Sequence, residues 1–190
     1  LVQRSRASAA RAGVADRVEF RTEDLFSTDL SRATVITMYL LPQVNLQLRP
    51  RLLALRPGTR IVSHDYDLGD WAPDRTVVVD APDKPVGPEP RSRLHLWVVP
   101  AQVDGLWCSA APAVALRLRQ RYQQVDAELD GAARRGRIEE RRLTLQGPDG
   151  RSAVLQAADG ALTVTQAATA LPAGLRLAPA AGDRCPPAAR

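Results

Sequence analysis

The sequence has 190 residues, 45% of them hydrophobic and 25% charged, which is ordinary for a soluble globular protein with one full core or two small ones. The net charge of +5 comes from basic residues that are spread along the chain and interleaved with acids, so we predict no nucleic-acid partner. No apolar stretch reaches the roughly 18 residues that a membrane-spanning helix needs.

The first part of the chain alternates helix and strand. Residues 1–12, rich in Ala and Arg, predict a helix, and residues 18–20 predict a short strand. Residues 34–40 (TVITMYL) form an apolar, β-branched run that is typical of a strand buried on both faces in a parallel sheet. Two short helical turns separated by Pro50 follow, and then a strand over residues 59–65. This order predicts an α/β fold with a parallel sheet.

The second part of the chain has a different pattern. Further strands are predicted over residues 76–79 and 94–99, with a proline-rich loop, residues 81–90, between them. After Pro100, short alternating segments separated by glycines predict a meander of antiparallel strands that forms a small barrel or sandwich. In one of these segments, residues 114–122, arginines alternate with apolar residues, and the alternation changes phase just after it, which indicates a bulge or bend.

We therefore expect an α/β part over residues 1–100, a small β domain over residues 101–178 and a disordered tail over residues 179–190. The two cysteines, Cys108 and Cys185, are far apart and have no ligand-type neighbours, so a zinc site is not expected. They could form one disulfide, but we expect two free thiols, as is usual in a cytosolic protein.

Polar and aromatic candidates follow the first two predicted strands. Asp24, after the strand at 18–20, could accept the amino group of adenine, or it could simply cap a turn. Tyr39, at the end of the run 34–40, could present its ring face to a cation, and Asn45 could bind a substrate amine. The alternative is that Tyr39 and the leucines after it belong to the core.

His64 and Asp65 end the strand at 59–65, where open α/β sheets bind ligands. A histidine beside carboxylates can act as a general base near neutral pH, or it can be a hydrogen-bonded structural histidine. Because consecutive residues of a strand point in opposite directions, we discount a metal site there.

Four motifs taken together, YLLP (39–42), LRP (48–50), LxPGTRIVSHD (55–65) and GDW (69–71), resemble a group of class I S-adenosylmethionine-dependent methyltransferases found widely in bacteria. This group is similar to the ATP synthase c-subunit lysine N-methyltransferases of animal mitochondria. The resemblance covers residues 5–100, and the rest is similar to a C-terminal extension of some bacterial members. It implies a partial Rossmann-like methyltransferase sheet followed by the β domain, with the YLLP and SHD segments parallel and adjacent.

The resemblance also implies a cofactor, S-adenosyl-L-methionine, and a methyl acceptor that is an amine, such as a protein lysine. Asp24 and Leu25 would contact adenine, and Tyr39 and Leu40 would lie beside the methyl group. Four residues would border the mouth of the substrate site: Pro42, Asn45, His64 and Asp65. Tyr39 and His64 are the expected catalytic pair.

The glycine-rich turn of the family, of the type D-x-G-x-G-x-G, has no counterpart in the 190 residues. That turn supplies backbone N–H groups to the cofactor. We therefore expect an N-terminally truncated methyltransferase that, as this chain, binds the cofactor poorly and is inactive. The alternatives are a non-catalytic remnant whose β domain is a binding module, and a basic nucleic-acid module. A cytoplasmic location is the default, although a missing amino terminus would hide an export signal.

Overall fold

The computed structural model describes residues 1–83, 90–147, 149–168 and 170–186. These residues form two compact units, one over residues 1–32 and one from residue 33 onward. The expected domain boundary near residue 100 stays a prediction. Neither helix in the described ranges has the length and apolar character needed to cross a bilayer.

The first unit contains one helix, α1 (Val2–Arg11), which confirms the helix predicted near the start. The helix ends at Ala12, and Gly13 follows with a φ of 66° that suits glycine. The strand predicted over residues 18–20 is wrong, because these residues are not in a strand. A strand needs the backbone groups of a neighbour, and this unit contains no other strand with which to pair.

The second unit begins with a mixed sheet of four strands in the order β1-β2-β4-β3. Their bounds are β1 (Val35–Met38), β2 (Arg60–His64), β3 (Arg75–Asp80) and β4 (Arg91–Val98). Strands β1 and β2 are parallel, which confirms that the YLLP and SHD segments run side by side in the same direction. For the other strands the prediction of a parallel sheet is wrong, because β4 pairs antiparallel with both of its neighbours. Of the predicted loop between β3 and β4, residues 84–89 lie outside the described ranges.

Helix α2 (Pro42–Leu53) connects β1 to β2. The two separate turns predicted around Pro50 are wrong, because the helix continues through this proline. Proline removes one backbone donor, but Leu48 and Leu52 on either side of it are buried, and this burial favours the continuous helix.

The remaining strands form a closed antiparallel barrel of eight strands, which confirms the predicted meander of antiparallel strands. Their bounds are β5 (Gly105–Ala110), β6 (Ala113–Arg121), β7 (Gln124–Leu129), β8 (Ala132–Glu139), β9 (Arg142–Gln146), β10 (Ser152–Ala158), β11 (Ala161–Gln166) and β12 (Arg176–Pro179). In β6, Leu116 and Leu118 point into the core while Arg119 is exposed, as the alternation predicts. The change of phase after β6 is not a bulge but a tight hairpin turn at Tyr122 and Gln123, with Tyr122 at a φ of 56°.

The sheet and the barrel are joined through residues 70–74. The Trp71 ring stacks on Tyr122 at 5.9 Å between centroids, and its Nε1–H donates to Gln123 Oε1 at 3.1 Å. Trp97 of β4 donates its Nε1–H to the Trp71 carbonyl at 2.8 Å. Since Trp71 and Trp97 are fully buried, they form a small core between the two parts.

The carboxyl-terminal segment is attached to the barrel by a disulfide between Cys108 and Cys185. The expectation of two free thiols is therefore wrong. The cause lies in the topology, because β12 pairs with β5 and leads the following chain past Cys108. The tail predicted over residues 179–190 begins at the end of β12, and residues 187–190 lie outside the described ranges.

Candidate active site

Tyr39 and His64 meet at one edge of the mixed sheet, where β1 and β2 both end. Met38 lies opposite Ser63 in the parallel register, so the next residue of each strand comes to the same edge. The centroids of the two rings are 4.3 Å apart, with an angle of 34° between the ring planes. Tyr39 is 57% exposed, and the His64 side chain is 29% exposed. The alternative in which Tyr39 belongs to the core is therefore wrong, and we call these two residues the strand-end pair.

One nitrogen of the His64 ring is closed off from solvent. Its Nε2 atom is buried and has no hydrogen-bond partner. The nearest acid is Asp65, whose Oδ2 lies 3.7 Å from this nitrogen. A buried imidazole nitrogen without a hydrogen bond is costly unless a ligand or water contacts it.

Asp65 is held by strand β4. Its N–H donates to the Arg93 carbonyl at 2.7 Å, and its Oδ1 accepts the Arg93 N–H at 2.9 Å. The backbone of Asp65 has a φ of 65°, a conformation that aspartate adopts more readily than most residues. These bonds fix the turn that follows His64.

Asn45 of α2 supports the same turn from the other side. It is fully buried, and its Nδ2 group donates to Ser63 Oγ at 3.2 Å, to the Tyr66 carbonyl at 3.3 Å and to the Asp67 carbonyl at 3.2 Å. Its Oδ1 atom is buried without a partner. The structure thus gives Asn45 a role in supporting the turn, and its predicted contact with a substrate amine stays a prediction.

The other residues predicted at this edge, Leu40 and Pro42, follow strand β1 in the chain. Pro42 lies at the first turn of α2, where its missing N–H costs nothing. Leu40 is half-buried, and Leu41 is 64% exposed. In the described ranges, no group of three His, Cys, Asp or Glu side chains is placed to hold a metal ion.

In the first unit, Asp24 organises a turn. Its Oδ1 accepts the Phe26 N–H at 3.0 Å, and its carbonyl accepts the Thr28 N–H at 3.0 Å. The neighbouring Glu23 accepts a hydrogen bond from the Thr28 hydroxyl at 3.0 Å. Leu25 is half-buried. Asp24 therefore does cap a turn, and the contact of Asp24 and Leu25 with adenine stays a prediction.

Sequence reasoning missed two residues that shape this site. Ser63 is buried and takes part in the Asn45 network, and the backbone of Arg93 holds Asp65. The signal for Ser63 was its position two residues after the buried Ile61, which places both on the same face of β2. No sequence signal pointed to Arg93, because that contact depends on the pairing of β2 with β4.

Comparison with known proteins shows which proteins the first part of the chain resembles. Residues 1–75 match the family described as the ANTKMT methyltransferase domain. A protein-lysine N-methyltransferase of Saccharolobus islandicus (strain REY15A) is 38% identical over 80 residues, which cover 42% of this chain and 50% of that protein. The resemblance to S-adenosylmethionine-dependent methyltransferases is confirmed.

A solved structure is also similar to this methyltransferase-like chain. It is an RNA methyltransferase from Salinibacter ruber in complex with S-adenosyl-L-homocysteine, with 49% sequence identity and a TM-score of 0.47. The match covers 54% of this chain and 61% of that one. The chain thus spans about half the length of the curated methyltransferase that it matches.

The family match covers only the first part of the chain. All predicted site residues, from Asp24 to Asp65, lie within the matched residues 1–75, which we call the methyltransferase segment. The whole barrel lies outside the match. The strand-end pair lies within this segment and combines the exposed ring of Tyr39 with the buried His64 Nε2, which makes no hydrogen bond.

Proposed function

We propose that this chain is part of an S-adenosylmethionine-dependent methyltransferase that methylates an amine, and that the strand-end pair lies at the transfer site. The parallel register of β1 and β2 carries this assignment, because it brings Tyr39 and His64 to one edge. Ligands of open α/β sheets bind at the carboxyl ends of the strands. We interpret the order β1-β2-β4-β3 as one portion of a Rossmann-like sheet.

Each member of the strand-end pair has a distinct role. The exposed face of Tyr39 attracts a cation, such as a sulfonium or a substrate ammonium. His64 Nε2 can receive a proton from an ammonium group. An alkyl ammonium such as that of lysine has a pKa of about 10.4, so it must lose a proton before it can attack. The two rings orient the amine, and positioning is a large part of such catalysis.

We propose a protein lysine as the acceptor, because the curated relative is a protein-lysine N-methyltransferase. The family resemblance alone does not fix the substrate, since related sites accept different molecules on the same fold.

The described residues that we assign to the site offer a partner for the positively charged sulfur of S-adenosylmethionine, but not for its methionine end. When bound, the cofactor supplies a methyl group on a positively charged sulfur, and Tyr39 offers a ring face for that charge. The sequence contains no D-x-G-x-G-x-G turn to hold the methionine end. We therefore expect binding by this chain to be weak, with half-saturation well above the micromolar range.

The two histidines of the chain, His64 and His95, make this assignment testable by NMR. On titration with S-adenosylmethionine to millimolar concentrations, we expect the ring signals of His64 to shift and those of His95 to stay in place. Tyr39→Ala should remove the shift. Tyr66→Ala, which truncates another exposed tyrosine, should retain it.

Two results would contradict these assignments. If His64 does not respond at millimolar cofactor, the strand-end pair is not the transfer site, and the non-catalytic alternative gains support. If the chain binds with sub-micromolar affinity, the expectation of weak binding is wrong, because the 190 residues would then suffice to hold the cofactor.

A further inference from the structure

The chain that follows β12 lies against the barrel wall, and we call residues 180–186 the strap. The Ala180 N–H donates to the Leu106 carbonyl of β5 at 2.7 Å. Farther along the strap, the Asp183 carbonyl accepts a hydrogen bond from Arg117 Nη2 at 3.1 Å. The strap therefore contacts both β5 and β6 without being a strand of the barrel.

Cys108 faces the strap and not the barrel core. Its neighbour Trp107 belongs to the core, and successive side chains of a strand point in opposite directions. Cys108 also pairs with Ala115, which is an exposed residue of β6. An outward-facing side chain is normally exposed, yet Cys108 is only 8% exposed, because the bonded Cys185 and the strap cover it.

We propose that the Cys108–Cys185 disulfide is a redox-sensitive latch that holds the strap on the barrel. A dithiol reductant donates two electrons and two protons, so that the S–S bond breaks, both cysteines become thiols and the reductant becomes a disulfide. The barrel remains closed after reduction, because its eight strands pair with one another and not with the strap. The strap, which has no strand pairing of its own, is released.

Release of the strap also changes the surface of the barrel. A groove of about 600 Å³ lies between the strap and the ends of β5 and β12. Its lining combines small apolar residues with the guanidinium groups of Arg176 and Arg184. Since the strap forms one wall, the oxidised protein has this groove and the reduced protein does not.

Limited trypsin digestion tests the latch, because Arg184 lies in the strap directly before Cys185. We compare oxidised protein with protein that has been reduced under native conditions, alkylated and freed of reductant. Cleavage after Arg184 should be at least ten times faster in the reduced protein, and the intact mass should fall by residues 185–190. In the oxidised protein this peptide would stay attached through the disulfide, even after cleavage.

Arg151, in the exposed turn before β10, provides an internal reference site. Its cleavage rate should be equal in both forms. Cys185→Ser without any reductant should reproduce the fast cleavage after Arg184. Two outcomes overturn the latch: an unchanged ratio of the Arg184 and Arg151 rates after reduction, or equal acceleration at both sites, which would show that the disulfide holds the whole barrel together.

Discussion

Gln123 is the polar residue that fastens the barrel to the sheet, and replacing it with leucine is the most direct test of that junction. The side chain is 4% exposed. Its Oε1 accepts the Trp71 Nε1–H at 3.1 Å, and its Nε2 donates to the Ala72 carbonyl and to Asp74 Oδ1, both at 3.2 Å. Leucine has a similar volume but none of these groups.

The expected cost of Gln123→Leu follows from the partners that it leaves behind. The Trp71 N–H becomes a buried donor without an acceptor, which costs about 1–3 kcal/mol. Loss of the bond to the Ala72 carbonyl adds about 1 kcal/mol. Loss of the hydrogen bond to Asp74 costs little, because the Asp74 carboxylate still accepts from Arg137 at 2.7 Å and from the Val98 N–H at 2.8 Å. Burial of the leucine offsets about 1 kcal/mol of this, leaving a destabilisation of about 1–3 kcal/mol.

Thermal unfolding followed by tryptophan fluorescence measures this loss. At about 2–4 °C per kcal/mol for a chain of this size, Tm should fall by about 2–12 °C. The matched control is Gln124→Leu, the same substitution at the next, exposed position, which should change stability by less than about 0.5 kcal/mol. If the two variants have equal stability, Gln123 does not fasten the junction and the reasoning is wrong.

Two further predictions concern the same junction. Hydrogen bonds from Arg121 and Tyr122 lower the pKa of Asp70 to about 2, so its stabilising effect is full above its ordinary value of 3.8 and is lost as pH falls through about 2. The Tm difference between wild type and Asp70→Asn should therefore shrink between pH 4 and pH 2, and a constant difference would contradict this. Gly58 has a φ of 92°, and an added Cβ would lie 2.7 Å from Glu140 Oε1. Gly58→Ala should cost about 1–3 kcal/mol by denaturant unfolding, and adding Glu140→Ala should restore only part of it, because the backbone strain remains.

Local sequence patterns predicted the elements whose cause is local. The apolar, β-branched run over residues 34–40 contains β1, although only Met38 of this strand is buried, and the alternation of leucine and arginine placed β6 correctly. A local pattern could not decide whether residues 18–20 form a strand, because a strand exists only where a neighbour supplies hydrogen bonds. Pro50 was misjudged for a similar reason, since buried leucines on either side outweigh one missing donor.

The site was predictable to the extent that it depends on strand direction. Parallel strands place their ends at one edge, so Tyr39 and His64 could be paired from the sequence. The surroundings of the pair depend on contacts between distant segments, such as Asn45 with the turn after β2. The disulfide belongs to the same class, because Cys108 and Cys185 are 77 residues apart and meet only through the pairing of β12 with β5.

The residues that hold the turn after His64 belong to the sheet and to α2. We therefore expect the position of His64 to be independent of the stability of the barrel. Asp65 is bonded to the backbone of β4, and Asn45 holds the following turn. Farther along the chain, Asp70 bonds Arg121 and Tyr122 of the barrel. Gln123→Leu should therefore lower Tm and change the emission of the tryptophans while the NMR signals of His64 stay in place. A shift of those signals in this variant would mean that the barrel, through residues 66–70, also positions the strand-end pair.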